Sequence, residues 1–239
     1  MTRRPPAFDY SGLVFDTMAP QPNTGKISPQ TRSYRSDLRK QQAEQTRQRI
    51  VAAAADLFAA DGYARTTLAK IAAAAGVSTE TVAAQGPKAA LMIAATEFAV
   101  FGVSGEESVL DLEIGRRYLE ISDRDAALDY WVTTHTELHE RGAAIAQALI
   151  GAAASDAELD RYLDDLFAGI TGQARRTLAV ARDRGWLRDD VPFDDLVATC
   201  TVLSGIDTFL RVTRRDGWTI PRYQSWLRRI LAETILARP

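Results

Sequence analysis

Between Glu44 and Lys88 the chain is punctuated so closely that few folds can accept it. A helical stretch from Glu44 to Ala60 puts Ile50, Ala54, Leu57 and Phe58 on one stripe and Arg47, Arg49 and Asp56 off it. Asp61-Gly62 closes that helix, and Thr66-Thr67 offers an N-cap for a short second one carrying Leu68, Ile71, Ala72 and Ala75. Gly76-Val77-Ser78 then forms a tight turn: Gly76 frees the backbone, Val77 reaches the core, and Ser78 caps a third helix. That helix runs only from about Thr79 to Gln85, because Gly86-Pro87 ends it and opens a fourth. Two short helices joined by a glycine turn form a unit whose second helix fits the major groove of DNA. Thr79, Glu80, Thr81, Ala84 and Gln85 are placed to face outward, and Val82 inward.

Charge divides the chain at the same place. Residues 1–88 carry 12 Lys/Arg against 7 Asp/Glu, and residues 89–239 carry 17 against 24. A basic front and an acidic body suit a polyanion partner for the first and another task for the second. The lone cysteine, Cys200, excludes a disulfide framework. Pro5, Pro6, Asp9 and Asp16 interrupt any signal peptide, and no apolar run is read as spanning a bilayer. A cytoplasmic protein without a membrane partner is expected.

The rest reads as helices: 87–101, 109–121, 124–141, 143–154, 156–183, 193–215 and 221–237. Alternating strands and hairpin signals are missing, so the fold is expected to be all-α. Three domains are expected: a disordered basic arm over 1–40, a three-helix helix-turn-helix domain over 41–88, and a helical ligand-binding and dimerisation domain over 89–239. Within the arm, Arg35 and Arg39 are candidates for phosphate or minor-groove contact.

From Gln45 to Val82 the sequence resembles the N-terminal domain of TetR-family regulators. The matching elements are Leu57-Phe58, Gly62-Tyr63, Thr66-Thr67, Ile71-Ala72, Ala75-Gly76-Val77-Ser78, Thr81-Val82 and the following Lys88. The resemblance implies a homodimer on double-stranded DNA, with a palindromic operator read by the third helices and released when a small, largely apolar effector enters the second domain. It also implies phosphate contacts from Thr67 and Lys88. Arg47 and Thr66 complete the expected DNA-binding set. One departure stands out. In T-V-A-A-Q-G-P-K, Ala83 takes the place of the family's usual aromatic, no Phe precedes Lys88, and the segment is one residue shorter.

Candidates for the effector pocket are Tyr118, Tyr130, Trp131, His135, Phe167 and Trp186, since pockets combine apolar walls with few polar groups. His135 and His139 share a helix face, but Glu137 lies two residues after the first His, so H-T-E-L-H does not have the order of a zinc-protease motif. No Ser-His-Asp set, phosphate loop or dinucleotide motif is present, so no catalytic residue, metal or cofactor is expected. Two other readings compete with a regulator: an interaction module with weakened DNA binding, and a small all-α enzyme using His135 or His139.

Overall fold

The computed structural model describes residues 30–101 and 113–237. The chain divides into two units, Met1–Gln42 and Ala43–Pro239. Ten α-helices are described: α1 (Gln30–Asp61), α2 (Leu68–Ala75), α3 (Thr79–Ala83), α4 (Lys88–Phe101), α5 (Glu113–Glu120), α6 (Arg124–Ala153), α7 (Ala157–Asp183), α8 (Phe193–Ser204), α9 (Ile206–Leu210) and α10 (Ile220–Thr234). No strand occurs among the described residues, only an isolated bridge between Leu187 and Leu236. The all-α expectation is met.

Three boundaries differ from the sequence reading, each for a physical reason. α1 is already helical at Gln30 rather than Glu44. No Gly or Pro falls between Gln30 and Asp61, and residues 34–44 are rich in Arg, Lys, Gln, Glu and Ala, which hold a helix without an apolar stripe. Residues 1–29 of the expected arm lie outside the described residues. The stretches 124–141 and 143–154 are one helix, α6, because Gly142 is buried and continues it. Conversely, 193–215 is broken. Gly205 leaves the helix at φ −62°, ψ 155°, separating α8 from α9, and residues 211–215 form a π-turn.

Two apolar clusters hold the body together. The first joins Ile50 and Phe58 of α1, Ile71 of α2 and Val82 to Leu91 and Met92 of α4, Ile145 and Leu149 of α6, and Leu159 of α7. The three-helix head is therefore packed into the same core as the near ends of α6 and α7. The second cluster gathers Val132, Leu196, Val197, Phe209, Tyr223, Leu227 and Leu231 at the far end. Residues 193–215 are, by length and composition, apolar enough to cross a membrane, contrary to the sequence reading. The break at Gly205 interrupts this stretch, and one face of it, with Leu196, Val197, Cys200 and Phe209, is buried in the second cluster.

Candidate functional site

The head is built from caps. Thr67 caps α2, its hydroxyl accepting the Lys70 amide at 3.2 Å. Gly76 takes φ +65° and donates to the Ala72 and Ala73 carbonyls, closing α2 in a turn that a Cβ would strain. Ser78 caps α3, accepting the Thr81 amide at 3.2 Å. Val82 is fully buried and fixes the roll of α3. That roll leaves Thr79, Glu80, Ala83 and Ala84 exposed, with Thr81 and Gln85 half-buried at the margin. Arg47 and Arg39 on α1 are exposed. The side chain of Arg35 lies outside the described residues.

Thr66 does not join this surface. It is completely buried, and its hydroxyl donates to the Leu57 and Gly62 carbonyls at 3.2 and 2.9 Å. These are carbonyls at the C-terminal end of α1, so Thr66 is a structural joint and the expected side-chain contact with DNA is corrected. Its neighbour Thr67 is exposed.

Lys88 stands at the first turn of α4. Its Nζ donates to the Tyr63 and Thr66 carbonyls at 2.9 and 3.3 Å and lies 4.0 Å over the Tyr63 ring. Of its three N–H groups two are thus taken by carbonyls, and the charge rests against the Tyr63 ring. Tyr63 in turn donates its hydroxyl to Asp156 at 2.9 Å. Asp156 is the N-cap of α7 and also accepts the Glu158 and Leu159 amides. Burial, and then the Asp156 carboxylate, push the Tyr63 phenol up to about 12. The same hydrogen bond is the main cause holding Asp156 below its ordinary value. Composition and periodicity gave no sign of this Lys88–Tyr63–Asp156 chain, because 93 residues separate Tyr63 from Asp156.

At the far end, a partly open cavity of about 50 Å³ lies among α5, α6, α7, α8 and the end of α10. Its wall includes Tyr118, Arg124, Trp131, Trp186, Cys200 and Leu231. Three of the expected pocket residues, Tyr118, Trp131 and Trp186, meet there. Tyr130 instead donates to the Ile114 carbonyl at 3.1 Å beneath Arg117, and Phe167 sits exposed on α7. His135 stacks on Trp131 at 4.4 Å between ring centroids and meets His139 edge-on at 4.6 Å, away from the cavity wall. Burial pushes both imidazoles down, His135 to about 4 and His139 to about 3. Burial also pushes the Cys200 thiol up to about 12. Among the described residues no group of three or more His, Cys, Asp or Glu could hold a metal ion.

With this geometry in view, comparison with known proteins is informative. Residues 50–84 match the family model described as bacterial regulatory proteins, tetR family. No curated protein sequence matches the chain. Solved structures do. A candidate TetR-family transcriptional regulator from Mesorhizobium loti aligns with TM-score 0.66 at 13% identity, over 82% of this chain and 98% of that one. The fatty acid degradation regulator FadR from Bacillus halodurans gives 0.63 at 18%, over 78% and 94%. A gamma-butyrolactone receptor described as ArpA-like gives 0.57 at 25%, over 82% and 90%.

Proposed function

We propose that this chain is a DNA-binding transcriptional regulator of the TetR kind, acting as a homodimeric repressor that a small molecule releases from a palindromic operator. The observation that carries this reading is the α2–turn–α3 unit. Both of its helices are capped, Val82 anchors it, and Thr79, Glu80 and Ala84 are presented to solvent. In a major groove those residues, with Thr81 and Gln85 at the margin, meet base edges. Thr67, Lys88 and Arg47 on α1 supply phosphate contacts.

A homodimer has its own support. Only 28% of the apolar window in 193–215 is buried within one chain, and Val202 on α8 is 68% exposed. A second copy would cover such a face. The effector site is the cavity at the far end of α6 and α7, and the neighbour named a gamma-butyrolactone receptor supports a small organic effector. α7 carries the signal. Its C-terminal half lines the cavity with Ala174, Thr177, Leu178 and Ala181, and its N-cap, Asp156, holds Tyr63 of the head. At 27 residues, or about 40 Å, it links the two as one rigid element. An effector releases DNA only to the extent that it prefers the arrangement in which the two α3 helices no longer match the operator. The chain is read as cytoplasmic and as having no enzymatic role.

A second reading, an interaction module with weakened DNA binding, draws on Ala83. It is exposed at the position where the family usually carries an aromatic, so it offers no hydroxyl to phosphate. A gel shift on the region upstream of the chain's own gene separates the two. Saturable, sequence-dependent retention with a steep salt slope is expected. Retention equal to that of random DNA at every salt concentration favours the interaction module.

A further inference from the structure

The cavity's chemistry narrows what can enter it. Three aromatic residues stand in the wall, an arrangement able to hold a cation against ring faces. Two guanidinium groups change that outcome. Arg184 already lies 4.8 Å over Trp186 and is fixed there by donating to the Ile121 and Leu119 carbonyls at 2.7 and 2.5 Å. Arg124 is itself a wall residue and 29% exposed. It donates one N–H to the Ala237 carbonyl at 3.0 Å, and its other terminal nitrogen lies 3.8 Å from Asp125. Asp125 is 55% exposed and shared with Arg228, so it neutralises Arg124 only weakly. Among the described residues no acidic side chain lines the cavity.

A cation entering this space would meet an occupied Trp186 face and the Arg124 guanidinium, engaged only by the Ala237 carbonyl and weakly by Asp125, and no carboxylate from the described wall. A carboxylate would find the remaining N–H donors of Arg124 in a mostly apolar surround, where a charge-assisted pair is strong. We infer that the effector is a small lipophilic organic anion: an apolar body against Trp131, Leu128 and Leu231, and a carboxylate or equivalent head on Arg124. This inference rests on the reading of the cavity as the effector site.

The test uses three probes with the same aromatic ring and different heads: hydrocinnamate, hydrocinnamyl alcohol and benzyltrimethylammonium. Each is titrated against the full chain by calorimetry and by quenching of tryptophan fluorescence, and then added to the operator complex in a gel shift. Hydrocinnamate is expected to bind at least about tenfold more tightly than either of the others. Arg124→Met should abolish that preference, and Arg124→Lys should retain part of it, with thermal unfolding confirming that both variants fold. Equal or tighter binding of the ammonium probe, no binding of hydrocinnamate at millimolar concentration, or a preference unchanged in a folded Arg124→Met overturns the inference. The gel shift keeps the two readings apart. Selective, Arg124-dependent binding that leaves the operator complex intact supports the anion inference while counting against effector release. Release by the ammonium probe does the reverse.

Discussion

Tyr63 shows how much one side chain can join. Its carbonyl and ring hold Lys88, and its hydroxyl holds the cap of α7. Tyr63→Phe keeps the ring and the cation contact but removes the hydrogen bond to Asp156. The expected cost is about 1 kcal/mol of stability, read by chemical denaturation. Because the head then loses a tie to α7, the variant should keep operator affinity while an effector releases it less completely. Equal release by the variant and the native chain would remove Tyr63 from the coupling. Thr66 is the contrasting case. Adjacent to Thr67 and equally polar, it is spent on two carbonyls and fully buried. Thr66→Val should therefore act on stability first, by leaving the C-terminal end of α1 less satisfied.

At the scale of elements, α3 is the fragile piece. Five residues cannot sustain a helix on propensity, so its form depends on the Ser78 cap and the Val82 anchor. Ser78→Ala should cost about 1 kcal/mol and speed hydrogen exchange in α3 before the rest of the head. Uniform exchange across the head would show that packing alone sets α3. The α8–α9 junction carries a different constraint. A Cβ at Gly205 would stand 2.8 Å from the Thr201 carbonyl oxygen, and the break frees carbonyls, one of which Thr208 binds at 2.6 Å. Gly205→Ala is expected to destabilise by about 1–3 kcal/mol, measured by urea unfolding.

For the whole molecule, the paired histidines tie stability to pH. Both are held neutral in the folded chain, with values near 4 and 3, against about 6.5 when unfolded. The unfolded chain then binds more protons below pH 6.5, so their contribution is complete above that value and shrinks as pH falls towards 4. Melting temperature should drop by several degrees between pH 7 and pH 5, and His139→Phe should flatten that slope. An unchanged slope in the variant would remove His139 from the pH dependence. Assembly belongs to this scale too. Val202→Glu places a charge on the exposed apolar face of α8, and sedimentation velocity should move from dimer towards monomer.

The head was legible in the sequence because its information is local. Gly76, Ser78 and the Gly86-Pro87 stop act within a few residues of themselves, and Ile50, Phe58, Ile71 and Val82 follow helical spacing into the core. The all-α class followed in the same way. Helix continuity was less legible: Gly142 and Gly205 are the same residue type, yet one continues a helix and the other ends it. Of six expected pocket residues, only Tyr118, Trp131 and Trp186 line the cavity, because helical spacing alone does not say which face meets a void and which meets a neighbour. Arg124 was not anticipated there, nor was Asp156 as the partner of Tyr63. The first depends on where α5 to α10 pack around one another, the second on where the head meets the start of α7. Local steric and capping preferences determined that this chain has a helix-turn-helix head; long-range packing decided what holds it and which charge faces the cavity among α5 to α8.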